Sequence, residues 1–163
     1  MVIEMDVNGE IRRIVIASVI LGVGVLVYLT ERSGESVYFL PDWWMSVYPS
    51  SSLGQRLPSF AHTFAFAILT AVVLAPWRGA LIASCGFWAV VNSLFELGQI
   101  DAIAAMIAFY TPEWLANWPI LENLDSYFLA GTFDPLDIGF VLLGAVAAYF
   151  TGVSISRSGA SRC

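Results

Sequence analysis

Lysine is missing from this chain, histidine occurs once, cysteine twice, and only 12% of the residues are charged. Each scarcity excludes something. The seven basic residues are all arginines, scattered singly apart from the Arg12-Arg13 pair. No stripe of cations is available to track phosphates, so nucleic-acid binding is not expected. Cys85 lies inside an apolar run and Cys163 is the last residue. The two fall at different depths and match no zinc spacing. A cysteine at the last position also misses the prenylation pattern, which needs it fourth from the end. One histidine cannot make a bis-histidine haem site, and there is no His-Glu-x-x-His run. Soluble domains carry about 25% charged residues; a chain with half that share cannot hide its apolar surface from water.

What is present is hydrophobic: 58% of 163 residues, with a mean hydropathy of +0.77 and a formal net charge of -6 whose acids lie mostly in loops. The chain reads as one membrane domain, 1–163, with spans at about 12–30, 58–75, 79–99 and 135–155. Crossing the hydrocarbon takes about 20 apolar residues as a helix. The second run is short and is expected to start near Pro58, with Ser59 as its cap. No strand-like alternation competes, so the fold class is all-α: a polytopic membrane protein with four transmembrane helices. The first run is followed by Glu31-Arg32 rather than a small-x-small cleavage site, and reads as a retained span.

Arginine placement sets the expected orientation. Arg12, Arg13, Arg78, Arg157 and Arg162 fall on one side, Arg32 and Arg56 on the other. Both termini and the tight turn around Arg78 are therefore expected in the cytoplasm. Two long loops, 31–57 and 100–133, face outward. The second is expected to hold short interfacial helices. Ala102–Tyr110 is apolar but reaches only roughly 15 Å, and Pro112 ends it. Pro119 then opens an amphipathic segment with Ile120, Leu121, Leu124 and Phe128 on one face, closed by Gly131. Trp43, Trp44, Trp114 and Trp118 fit an interfacial aromatic belt. Gly144, Ala148 and Gly152, and again Ala67, Ala71 and Ala75, make small-residue stripes that let helices approach closely.

Within this oily chain a few polar residues gather near the outer helix ends. His62 opens the second span. Asn92, Glu96 and Gln99 share one face of the third at i, i+4 and i+7. Asp134 and Asp137 open the fourth, and Arg56 stands just before the second. Ionisable groups in hydrocarbon are expensive and normally turn inward to find partners. Each also has a plainer role. Asp134 before Pro135 is a helix cap, with Asp137 in the first turn. Glu96 snorkels, Gln99 hydrogen-bonds at the interface, and His62 makes a structural hydrogen bond. One histidine with several carboxylates also suits a divalent metal, but no metal site and no cofactor is expected. No ionisable residue is expected near the centre of any helix, which argues against a transporter.

The order of these residues resembles a known family. Arg56 precedes Leu57-Pro58-Ser59-Phe60-Ala61-His62; Phe95-Glu96-Leu97-Gly98-Gln99 closes the next span; Asp134-Pro135-Leu136-Asp137 opens the last, with Gly144 seven residues beyond Asp137. A His opening one span, Glu-x-x-Gln closing the next and Asp-x(6)-Gly in the last resemble the VanZ-like membrane proteins. The resemblance covers roughly 56–150. It departs where an Asp-Lys pair usual before the His is Pro58-Ser59, and where an Asn usual four residues after the Asp is Val141. It implies a bacterial inner-membrane protein related to the cell envelope; the family's namesake is linked to low-level teicoplanin resistance. The expected site is an outward-facing polar pocket of His62, Asn92, Glu96, Gln99, Asp134, Asp137 and Arg56. Its expected partners are the lipid bilayer and a lipid or envelope ligand; an enzyme is not expected. The alternative is a small accessory subunit of a larger membrane complex, with His62 as a pigment or metal ligand.

Overall fold

A computed structural model describes residues 7–31, 51–75, 77–118, 121 and 124–160. Among them there is no strand. The helices are α1 (Val7–Glu31), α2 (Ser52–Val73), α3 (Ala80–Gly98), α4 (Asp101–Tyr110), α5 (Leu124–Ala130) and α6 (Pro135–Ala160), with a 3-10 helix at Glu113–Asn117. Four of them, α1, α2, α3 and α6, are long and apolar enough to cross a membrane. Much of α1 is valine and isoleucine, which are mediocre helix formers in water. In an apolar solvent the backbone must satisfy itself, and a helix does that whatever the side chain.

The second helix starts at Ser52, not near Pro58. Ser51 is its cap, its Oγ accepting from Gly54 N at 2.9 Å. The Glu31 carboxylate at the end of α1 accepts from Ser51 N at 2.9 Å and from Ser51 Oγ at 3.0 Å. An anion thus sits at the positive end of α2 and ties it to α1. Hydropathy misses this first turn and a half because Gly54, Gln55 and Arg56 interrupt it. Pro58 is buried inside the helix. Ser59 is an interior residue too, and its carbonyl accepts from Thr63 Oγ1 at 2.9 Å.

Helix α2 packs against α1, α3 and α6, while α6 also touches α3 and α1. Small residues set the spacing, as packing without a hydrophobic driving force requires. A methyl group on Gly24 of α1 would lie 2.5 Å from Ala61 Cβ; on Gly144 of α6 it would lie 2.6 Å from the Phe60 carbonyl oxygen of α2. Ala67 and Ala148, from the two expected stripes, are fully buried together with Ala17, Ala65 and Ile68. Outward faces stay apolar and open, as at Val19, Leu26, Val90 and Phe150. At the end where α1 begins and α6 finishes, Arg13 binds Glu10 at 2.8 Å, the Gly152 carbonyl at 3.2 Å and Ser156 Oγ at 2.5 Å.

Between α3 and α6 the chain folds back on itself. α4 occupies the expected apolar segment and packs on α5, and α4 also touches the end of α3. The second segment, expected to be an amphipathic helix from Pro119, is described only in part. Among the described residues it is helical only over Leu124–Ala130, with Leu121 in a turn. Pro119 and Ile120 lie outside the described residues, as do Trp43 and Trp44. Phe128 is buried. It lies against the bare backbone of Gly98, where any side chain would strike its ring. That contact, with a stack on Phe95 at 5.8 Å, fastens α5 to α3.

Candidate polar site

Contacts between the helices give their directions. Thr63 meets Asn92 and Thr70 meets Trp88, so α2 and α3 are antiparallel. Arg56 meets Asp134, and Phe60 and Thr63 lie against Gly144, so α2 and α6 run the same way. Arg56, Gln99 and Asp134 therefore stand at one end of the bundle, opposite Arg13.

Asp134 carries both roles that its sequence position suggests. Its Oδ1 accepts the Leu136 N–H at 2.9 Å, capping α6. Its Oδ2 pairs with Arg56 Nη2, joining α6 to α2. The Leu136 N–H, and then the hydrogen bond and charge of Arg56, hold its carboxyl below the usual carboxylate range against the opposing effect of desolvation. Arg56 also donates from Nη1 to the Ser52 carbonyl. Its side chain is only 14% exposed.

Asn92 Nδ2 donates to Thr63 Oγ1 at 2.8 Å. Thr63 is fully buried. Glu96 and Gln99 follow Asn92 at helical spacing, so they climb the same α2-facing side toward Arg56. Gln99 reaches Gly131, where a methyl group would lie 2.6 Å from its Oε1. Asp137 precedes Gly144 by seven residues, or two turns, and shares its α2-facing side. Arg56 stands in the same relation to Thr63. Of the expected site residues, direct contacts join Arg56 to Asp134 and Asn92 to Thr63, and the helical period puts Glu96 and Asp137 on the sides of α3 and α6 that face α2.

His62 lies further along its helix than expected. With α2 beginning at Ser52, it is the eleventh of 22 residues, at the helix midpoint. The expectation of no ionisable residue near a helix centre fails for this reason. At about 100° per residue, His62 is turned about 160° from Phe60, whose carbonyl meets α6. It lies on the side of α2 between the contacts with α1 and α3. Its ring stacks on Phe66 at 5.7 Å and 12°, and Phe66 packs on Trp88 at 4.9 Å. Trp88 Nε1 donates to Thr70 Oγ1 at 2.8 Å. His62 is thus the first ring of an aromatic column.

Among the described residues, no three His, Cys, Asp or Glu side chains are arranged to hold a metal ion. An open apolar groove of about 300 Å³ lies between α3 and α6, lined by Cys85, Gly86, Ala89, Ala145, Tyr149 and Phe150 among others. It is away from the polar end. The sequence reading missed Thr63, the partner of Asn92, and Glu31, which holds the start of α2. Thr63 carries a signal in hindsight: it is the hydroxyl seven residues after Arg56. The contacts among these residues bring together one guanidinium with a carboxylate and one amide with a hydroxyl. No family model matches the chain, and no curated protein and no solved structure matches it.

Proposed function

We propose that the chain is a VanZ-like protein of the bacterial inner membrane. It crosses the bilayer four times with both termini in the cytoplasm. The end that carries Arg56 and Asp134 faces outward, and α4 and α5 lie in the outer interface. The pocket formed by Arg56, Asn92, Glu96, Gln99, Asp134 and Asp137 binds a lipid or another envelope component. One observation supports this above others: Arg56 and Asp134, from two separate apolar helices, form an ion pair at the end where the polar side of α3 also arrives. Charge in a bundle this apolar is costly unless paired; its retention on three helices favours a ligand site over packing.

The test is made in cells under glycopeptide or other envelope stress, comparing wild type with Arg56→Gln, Glu96→Gln and Asp137→Asn at matched membrane levels. Loss of protection in these variants is the expected result. Wild-type behaviour from all of them removes the proposal. The second reading, an accessory subunit, draws support from the open α3–α6 groove, which is the right shape for a neighbouring helix. Stoichiometric co-purification of a large partner in mild detergent is the outcome that favours it.

A further inference from the structure

Arg56 is not fully used. A guanidinium presents Nε and one Nη along a single edge, the edge that fits two oxygens of a phosphate or carboxylate at once. Asp134 reaches that edge with Oδ2 alone, because its Oδ1 is committed to the Leu136 N–H. The second Nη is turned to the Ser52 carbonyl. Arg56 Nε is left buried with no hydrogen-bond partner among the described residues. A buried donor without an acceptor is destabilising. The Asp134 side of the pair is a third open, so the idle donor lies beside the one member of the pair that faces outside.

Charge narrows what fills the place. A simple anion would meet Asp134 beside Arg56, and the helical period sets Glu96 and Asp137 on the α2-facing sides of their helices. A ligand that carries its own cation a few bonds from its anion meets one guanidinium and these carboxylates without net repulsion. The geometry points to a phosphoethanolamine headgroup. Its phosphate oxygens take Arg56 Nε and Nη2 with Asp134 swung aside to cap α6 only, and its ammonium lies toward Asp137 and Glu96. The ammonium donates three hydrogen bonds, which a trimethylated choline cannot, and a glycerol headgroup brings no cation at all. This rests on the pocket reading above and names its ligand class.

The experiment reconstitutes the full chain in nanodiscs holding equal fractions of phosphatidylethanolamine, phosphatidylcholine and phosphatidylglycerol with identical acyl chains. The lipids that stay bound after extraction are then counted by native mass spectrometry. The expected result is about tenfold enrichment of phosphatidylethanolamine, corresponding to about 1.4 kcal/mol. Arg56→Lys keeps the charge opposite Asp134 but lacks the paired donors, and should bring the enrichment to background with the thermal midpoint little changed. Asp137→Asn should erase the preference over phosphatidylcholine and leave phosphate-dependent retention. Soluble O-phosphoethanolamine displacing the lipid shows that the headgroup suffices; no displacement, with enrichment intact, assigns the site to the membrane-anchored form. Retention of the three lipids in their bilayer proportions overturns the inference, as does unchanged selectivity in Arg56→Lys. Either result, alongside loss of protection in the cellular variants, would reject the headgroup and leave the pocket.

Discussion

Asp134 has two jobs that a single substitution separates. Asn caps a helix nearly as well as Asp, so Asp134→Asn keeps the Leu136 bond and removes the charge opposite Arg56. Because the folded protein holds the Asp134 carboxyl below its usual range, the wild type gains stability from it at pH above the ordinary value of about 3.9. That gain is lost as pH falls through the lower folded value. The thermal midpoint of the wild type should therefore exceed that of Asp134→Asn at neutral pH and converge with it in acid; parallel curves across the whole range would refute the assignment. His62 makes the opposite case. Its described contact is a ring stack on Phe66, so His62→Phe should hold both the fold and the envelope phenotype, while Arg56→Gln loses the latter. These residues were unevenly legible. The face of Asn92 was legible from its spacing, because helical period needs no partner to be read, and its bond to Thr63 shows that face turned to α2. Which residue stood at the centre was not legible: it depends on where α2 starts, and that is fixed by the cap at Ser51 and by Glu31, twenty residues earlier in the chain.

At the scale of elements, glycines within one helix offer matched pairs. In α6, a methyl group on Gly144 would lie 2.6 Å from the Phe60 carbonyl oxygen and 3.2 Å from Thr63 Cβ, whereas one on Gly139 would meet nothing within 4 Å. Backbone cannot step aside as a side chain does. Gly144→Ala should cost about 1–3 kcal/mol by overpacking, read as a lowered midpoint in detergent denaturation, while Gly139→Ala should be neutral or slightly stabilising through helix propensity. The same contrast holds in α1, where Gly24 faces Ala61 and Gly22 faces open space. Equal effects at Gly139 and Gly144 would mean that α2 and α6 do not approach as described. The stripes behind this packing were visible as four-residue spacing, since small residues in an apolar helix have few other uses. The start of α2 was not. Hydropathy weighs single residues, so Gln55 and Arg56 looked like loop. The amphipathic pattern expected from Pro119 begins outside the described residues, and its described helix, α5, is held by Phe128 on Gly98.

The whole molecule has two chemically different ends. One gathers Glu31, Arg56 and Asp134; the other gathers Glu10, Arg13, Ser156 and Arg157, with Arg78 in the turn between α2 and α3. Among the described residues, Arg12, Arg13, Arg78 and Arg157 belong to the second end and Arg56 alone to the first. Cytoplasmic loops carry such an excess because arginine is translocated reluctantly. The prediction is that the Arg13 end stays inside and the Arg56 end is exported. Four-helix continuity makes the two placements inseparable: antiparallel α1 and α2, joined through Glu31 and Ser51, cannot be oriented independently. In a background of Cys85→Ala and Cys163→Ser, a single cysteine replacing Ser52 should react with a membrane-impermeant maleimide in intact spheroplasts. One replacing Arg78 should react only after lysis, as both positions are exposed in the fold. Labelling of position 78 in intact cells would invert the protein, turning the Arg56 pocket to the cytoplasm. Its fold and ion pairs would survive that result; its proposed access to the outer envelope would not.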